Sequence, residues 1–181
     1  MAARANPGIE ELRGLIRSIH DFPRPGIVFR DVTPLFAEPT ALAGAVELLA
    51  AAVEAAGPVD LVVGAEARGF ILGPALAVRL GAGFVPARRE GKLPASTERA
   101  AYELEYGAAE LHVHTDAIGP GARVLVHDDL IATGGTAAAL AEIVERLGGE
   151  VVAYAFLVEL TALAGRDRLA APTHSLITFD E

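Results

Sequence analysis

Two adjacent carboxylates, Asp128 and Asp129, stand at the end of an apolar run and just before a loop with almost no side chains, in VLVHDDLIATGGTAAAL, Val124 to Leu140. The loop, Ala132-Thr133-Gly134-Gly135-Thr136, opens into an alanine-rich stretch with no further breaker. Glycines between a strand and a helix let successive backbone N–H groups converge on one anion, with the positive end of the helix dipole behind them. Thr133 and Thr136 add hydroxyl donors. The pattern is a phosphate cradle by mechanism, yet it has neither the P-loop lysine nor the dinucleotide-binding glycine spacing, so it fits a single phosphate. The acids would repel that anion and need another partner, either sugar hydroxyls or a share in a divalent cation. A phosphorylated sugar satisfies both halves. The plain alternative is that the acids end a strand and cap the next element.

The elements that must position these groups follow from periodicity. IEELRGLIRSIH places Ile9, Leu12, Leu15, Ile16 and Ile19 at amphipathic helical spacing. The next stretch, DFPRPGIVFRDVTPLF, holds Pro23, Pro25 and Pro34 with Gly26, a density that predicts extended or turn backbone without regular helix. Thr40 is placed to cap a helix running to about Ala56. VDLVVGAE reads as a buried strand that feeds the loop AEARG and the helix FILGPALAVRLG. GFVPARR, RVLVHDD and VVAYAFLVEL are further strands, and the helix after the TGGT turn carries Leu140, Ile143, Val144 and Leu147 on one face before Gly148-Gly149. Strands alternating with helices predict an α/β fold with a mostly parallel sheet, whose ligands bind along one rim at the carboxyl ends of the strands. The connection GKLPASTERAAYELEYGAAELHVHTDAIGPG is about 30 residues long, and its β-prone halves around Gly107 suggest a loose hairpin acting as a lid.

Composition narrows the partners. The 181 residues suit one domain, and 52% hydrophobic against 22% charged content fits a soluble protein with a substantial core. A net charge of -9 argues against a broad nucleic-acid surface, so an anionic ligand must be held locally. There is no cysteine, which removes disulfides, zinc knuckles and thiol nucleophiles. The N-terminus has no apolar core segment, and apolar runs elsewhere read as short of the ~20 residues that span a bilayer. A cytoplasmic protein with no membrane partner is the resulting expectation.

VLVHDDLIATGGT resembles the signature of the type I phosphoribosyltransferases, an apolar strand, two acids and a threonine-glycine loop. DFPRPGIVFRDVTPL, GAEARGF, REGKLP, YELEYG and LVEL, in that order, are similar to segments of the adenine phosphoribosyltransferase family, and the likeness runs from about Ile16 to Leu169. The resemblance implies the type I phosphoribosyltransferase fold in one domain, 1–181, with an N-terminal helix and base-binding hood over about residues 1–36 and a flexible lid over about 93–115. It implies transfer of the phosphoribosyl group of phosphoribosyl pyrophosphate to N9 of adenine, giving AMP and pyrophosphate, with Mg²⁺ carried by the donor and no metal ligands on the protein. Another purine base, or a regulator that senses the donor without turning it over, are the alternatives.

Carried over residue by residue, Ala132, Thr133, Gly134, Gly135 and Thr136 hold the 5′-phosphate, and Asp128 and Asp129 face the ribose hydroxyls. Arg68 meets the pyrophosphate from a loop with an expected cis peptide at Glu66-Ala67, and Arg88, Arg89 and Lys92 are further cations for that group. Backbone groups of Val28, Phe29 and Arg30 read the adenine edge, and Leu160 packs near the base. Glu105, with Tyr106 beside it, handles the imidazole proton that adenine loses as N9 attacks, a task suited to a carboxylate near N7. Relatives imply a homodimer. Two positions depart from the family: Glu90 weakens the positive field of its loop, and His127 stands where an apolar residue is expected, as a core or interface histidine on the strand face opposite Asp128.

Overall fold

Strands β3 (Leu61–Ala65), β7 (Arg123–Ile131) and β8 (Glu150–Leu160) are near-continuous apolar runs, as strands covered on both faces must be. They form the middle of a seven-stranded sheet with β4 (Gly83–Arg89), β5 (Thr97–Glu103), β6 (Ala108–His114) and β9 (Thr173–Phe179). The order is β5-β6-β4-β3-β7-β8-β9. The pairs β3–β4, β3–β7, β7–β8 and β8–β9 are parallel, and the β5–β6 hairpin joins β4 antiparallel. The computed structural model describes residues 7–103 and 108–180.

Side-chain alternation divides the core into two layers. Val62, Leu125, Ala153, Ala155 and Leu157 pack against α3 (Pro39–Val53) and α4 (Gly69–Leu80). Val63, Val124, Val126, Tyr154 and Phe156 pack against α5 (Gly135–Arg146). From β3 the chain moves outward to β4 on one side, and after the β5–β6 hairpin it returns to β7 on the other. The strand order therefore reverses between β3 and β7, and a crevice opens where their carboxyl ends diverge.

The N-terminal reading needs correction. Helix α1 covers only Ile9–Gly14, and Arg17–His20 form β1, paired antiparallel with β2 (Val28–Asp31) in a separate two-stranded sheet. Pairing across the hairpin overrides the helical period, and Ile19, expected on an apolar helix face, is 39% exposed. Arg17 locks the register through Asp31, with Nε and Nη2 at 3.0 and 2.5 Å from Oδ2. The proline-rich stretch supplies the turn, with a cis Phe22–Pro23 bond, and then a short helix α2 (Thr33–Ala37) where none was expected. Pro34 is tolerated there because it lies in the first turn, where no intrahelical N–H bond is lost.

Helix α3 starts after Glu38 with Pro39 at its head, so Thr40 lies inside it and donates to Glu38 Oε1 at 2.9 Å. With the turn that follows, Pro39–Ala56 is long and apolar enough by composition to cross a membrane, at mean hydropathy 1.4. That exceeds the apolar runs expected from sequence, but Ala41, Ala45, Leu49 and Val53 are buried in the core of this fold. The edge strand β9 has no counterpart in the sequence reading, because its residues are mostly half-buried and its polar positions blur the alternation.

Candidate active site

Both loops at the β3/β7 switch point are shaped by close backbone approach. Gly69 begins α4 against β7, and a Cβ there would lie 3.1 Å from Asp128 Oδ1 and from the His127 carbonyl. The preceding Glu66–Ala67 peptide is cis, as the resemblance implied. On the other side, Gly134 caps α5 in the left-handed region at φ 78, a conformation that favours glycine. The resulting cleft, about 200 Å³, is lined by Arg68, Asp128 and the whole of Ala132 to Thr136 over a floor of Val126, Leu140 and Phe156. The loop backbone and its threonine hydroxyls thus share one cleft with an acid, Asp128, and a cation, Arg68.

Asp129 is 2% exposed and lies under Arg68, with Oδ2 3.1 Å from Nε. The contact is an ion pair out of line for a hydrogen bond. Burial pushes the Asp128 carboxyl well above the usual carboxylate range, and the charge of Asp129 pushes the same way. Asp129 is also raised by burial, with Arg68 pulling it down. In the free protein this pair is under-solvated, a state that hydroxyl donors from a sugar would relieve.

Arg68 also connects the cleft to the N-terminal hairpin, since its guanidinium lies 5.4 Å over the Phe29 ring, which packs edge-on to Phe22. Arg30 is buried, bonds Ser18 Oγ and stacks 4.0 Å over Phe179. Val28, Phe29, Arg30 and Leu160 do not line the cleft itself, and Leu160 packs on the α3/α4 core beside Phe179.

The cations at the end of β4 and just beyond it are turned elsewhere. Arg88 Nε and the Arg89 N–H both reach Glu66 Oε2 at 3.2 Å, and Arg88 Nη1 donates to the Lys92 carbonyl. Burial raises the Glu66 carboxyl, but these bonds outweigh it and leave its pKa below the usual value. Arg89 and Glu90 border a second, open depression with Arg99 and Glu110, and Lys92 is exposed. Glu66 was missed from sequence; its only signal was an acid beside Arg68 in AEARG. Glu105 and Tyr106 lie outside the described residues, between β5 and β6.

His127 is fully buried on the α4 side of β7, and its Nδ1 lies 2.9 Å from the Ala155 carbonyl of β8. A carbonyl only accepts, so Nδ1 carries the proton. Burial lowers the pKa to about 4 despite that bond. Because the folded value is depressed, the neutral ring's contribution is full above the unfolded value of about 6.5 and lost as pH falls toward 4. His127→Val should remove about 3 kcal/mol of acid sensitivity, seen as a smaller drop in urea midpoint between about pH 7 and pH 4. An unchanged drop would show that the ring does not titrate with unfolding.

Residues 31–176 match the family model for the phosphoribosyl transferase domain. The adenine phosphoribosyltransferase of Sorangium cellulosum is 54% identical over 93% of this chain and 86% of its own length. The crystal structure of adenine phosphoribosyltransferase from Thermoanaerobacter pseudethanolicus superposes with a TM-score of 0.90 at 50% identity, covering 94% of this chain and 99% of that one. The Saccharomyces cerevisiae enzyme, complexed with an imino-altritol bisphosphate and adenine, gives 0.90 at 42% identity over 93% and 97%. With the acid pair, the glycine loop and Arg68 assembled at one switch point, these likenesses have a physical footing, and the chain belongs to the adenine phosphoribosyltransferase branch of the phosphoribosyltransferase family.

Proposed function

We propose that the cleft transfers the phosphoribosyl group of phosphoribosyl pyrophosphate to N9 of adenine, releasing AMP and pyrophosphate. The observation that carries this is the convergence of Asp128, Arg68 and Ala132 to Thr136 on one cleft at the β3/β7 switch point. The loop N–H groups and the start of α5 bind the 5′-phosphate. Asp128 and Asp129 accept from the ribose hydroxyls and hold the ring with C1 toward the base. Arg68 lies over the acid pair, in place to take the departing pyrophosphate, and Arg88, Arg89 and Lys92 swing from Glu66 and solvent to share that charge.

Among the described residues no cluster of three metal-ligating side chains occurs. A Mg²⁺ carried by the pyrophosphate would neutralise part of that charge, and Asp128, which lines the cleft, is the acid that would face it. The base enters under the β1–β2 hairpin, where backbone groups of Val28 to Arg30 read its edge and Phe29 and Leu160 supply apolar contact. Glu105, with Tyr106, takes the imidazole proton as N9 attacks, and the β5–β6 segment, over about residues 93–115, closes to exclude water. The domain extends over residues 1–181, and it works as a cytoplasmic homodimer.

Purified protein given adenine, phosphoribosyl pyrophosphate and Mg²⁺ forms AMP and pyrophosphate in equal amounts, read by chromatography. Adenine outcompetes hypoxanthine and guanine in the same vessel. Folded protein that makes no AMP would sink the reading.

A further inference from the structure

Behind the phosphate loop runs a short turn, Ala164 to Arg166, with no space between the two backbones. A Cβ on Gly134 would lie 2.3 Å from the Gly165 carbonyl oxygen. A Cβ on Gly165 would lie 2.2 Å from the Ala132 carbonyl oxygen and 2.7 Å from the Gly134 nitrogen. Real Cβ atoms essentially never approach within 3.0 Å. Gly134 needs glycine for its own φ as well, but Gly165 has no positive φ, so its backbone would accept alanine and only contact with the loop forbids it.

The turn is itself fastened. Arg166 reaches Glu159 with Nε and Nη2 at 3.0 and 2.5 Å, and its Nη1 donates to the Thr173 carbonyl at 2.7 Å. Glu159 is buried, and in the sheet register it stands opposite Ile131, the residue directly before the loop. The Arg166 fork therefore ties the turn to β8, directly beside the β7 end from which the loop departs. Ala164 adopts φ 50, uncommon for a residue with a side chain and sustained here by the surrounding bonds.

We infer that Gly165 and Arg166 are positioning residues of the phosphate site, a rear brace that fixes the Ala132 to Gly134 backbone so that its N–H groups converge on the 5′-phosphate. A nest of amides binds an anion only while its donors share a focus, so a small displacement of the loop costs phosphate affinity and leaves the base pocket alone. The inference rests on the reading of Ala132 to Thr136 as the phosphate loop.

The test is equilibrium binding of AMP and of adenine to the parent, Gly165→Ala, Arg166→Lys, and Thr133→Ala with Thr136→Ala. Gly165→Ala should weaken AMP at least about tenfold with adenine within about twofold and the ligand-free melting temperature within a few degrees. Arg166→Lys keeps the charge but loses the fork, and should weaken AMP about threefold to tenfold with the same sparing of adenine. If Gly165→Ala does not fold, Arg166→Lys decides by the same criterion. AMP affinity equal to the parent's in these variants overturns the brace. So does parallel loss of AMP and adenine with a falling melting temperature, the signature of a merely structural role. If the double threonine variant binds AMP as tightly as the parent, the phosphate-loop reading itself fails; if it weakens AMP while Gly165→Ala does not, only the brace fails.

Discussion

Asp128→Asn should raise the melting temperature of the ligand-free protein while lowering kcat/KM for the donor about 100-fold. The two effects share one cause. Burial and the neighbouring Asp129 hold the Asp128 carboxyl well above its ordinary pKa. A folded-state pKa above the unfolded one favours the fold only at low pH, and that contribution is lost as pH rises through the folded value. At neutral pH the burial of this carboxyl is therefore a cost to stability, on the order of 1 kcal/mol, and the amide, which does not titrate, removes it. For a chain of this size that is roughly 2–4 °C. Asparagine keeps an oxygen to accept the Asp129 N–H, now at 2.9 Å, so the local backbone is preserved. Activity falls because a charged acceptor is worth about 1.5–3 kcal/mol per bond to a ribose hydroxyl, and the amide forfeits most of that. Calorimetric melting beside steady-state kinetics checks both halves. A variant as active as the parent would remove Asp128 from the ribose.

Arg68→Gln should depress stability and activity together, the opposite pattern. Asp129 is 2% exposed and Arg68 is its ion-pair partner, so the variant leaves a buried carboxylate uncompensated. Arg68 is itself 41% exposed, and water screening reduces the cost to about 1–2 kcal/mol, lower than for a fully buried pair. Donor turnover falls by about 100-fold to 1000-fold as the leaving group loses its cation. Adding Asp129→Asn to Arg68→Gln removes the orphan charge and should recover the melting temperature without recovering turnover. Recovery of both would mean that Arg68 and Asp129 serve the fold alone, the one never meeting the pyrophosphate and the other never meeting the ribose.

The apparent conflict between these variants shows how the site divides its work. Asp128 lines the cleft and is kept short of partners, so it is ready for a ligand. Asp129 is the same residue type one position along, turned under Arg68. Adjacent residues on a strand point to opposite faces, so a pair of like acids acquires two environments. Under-solvated polar groups gathered at a functional site are the ordinary cost in stability of activity.

How legible this was differs by region. The central strands and α4 and α5 were readable because apolar runs and glycine stops act over a few residues. The N-terminal helix was overextended because Arg17 to His20 have helical spacing but find hydrogen-bond partners in Val28 to Asp31. Of the cations, Arg68 joins the cleft, while Arg88 is engaged by Glu66, a choice set by a neighbour 22 positions away.

The sequence by itself determined the chemistry on offer, the acid pair, the glycine loop and the order of strand and helix, because each depends on residues close together in the chain. Only the tertiary structure decided which acid is paired, which arginine faces the cleft, that the core histidine His127 expected from sequence is held neutral, and that Gly165 stands against Gly134. Those outcomes depend on desolvation and on backbones brought together from distant positions. Burial and close contact are properties of the packed molecule, and no local pattern of residue types encodes them.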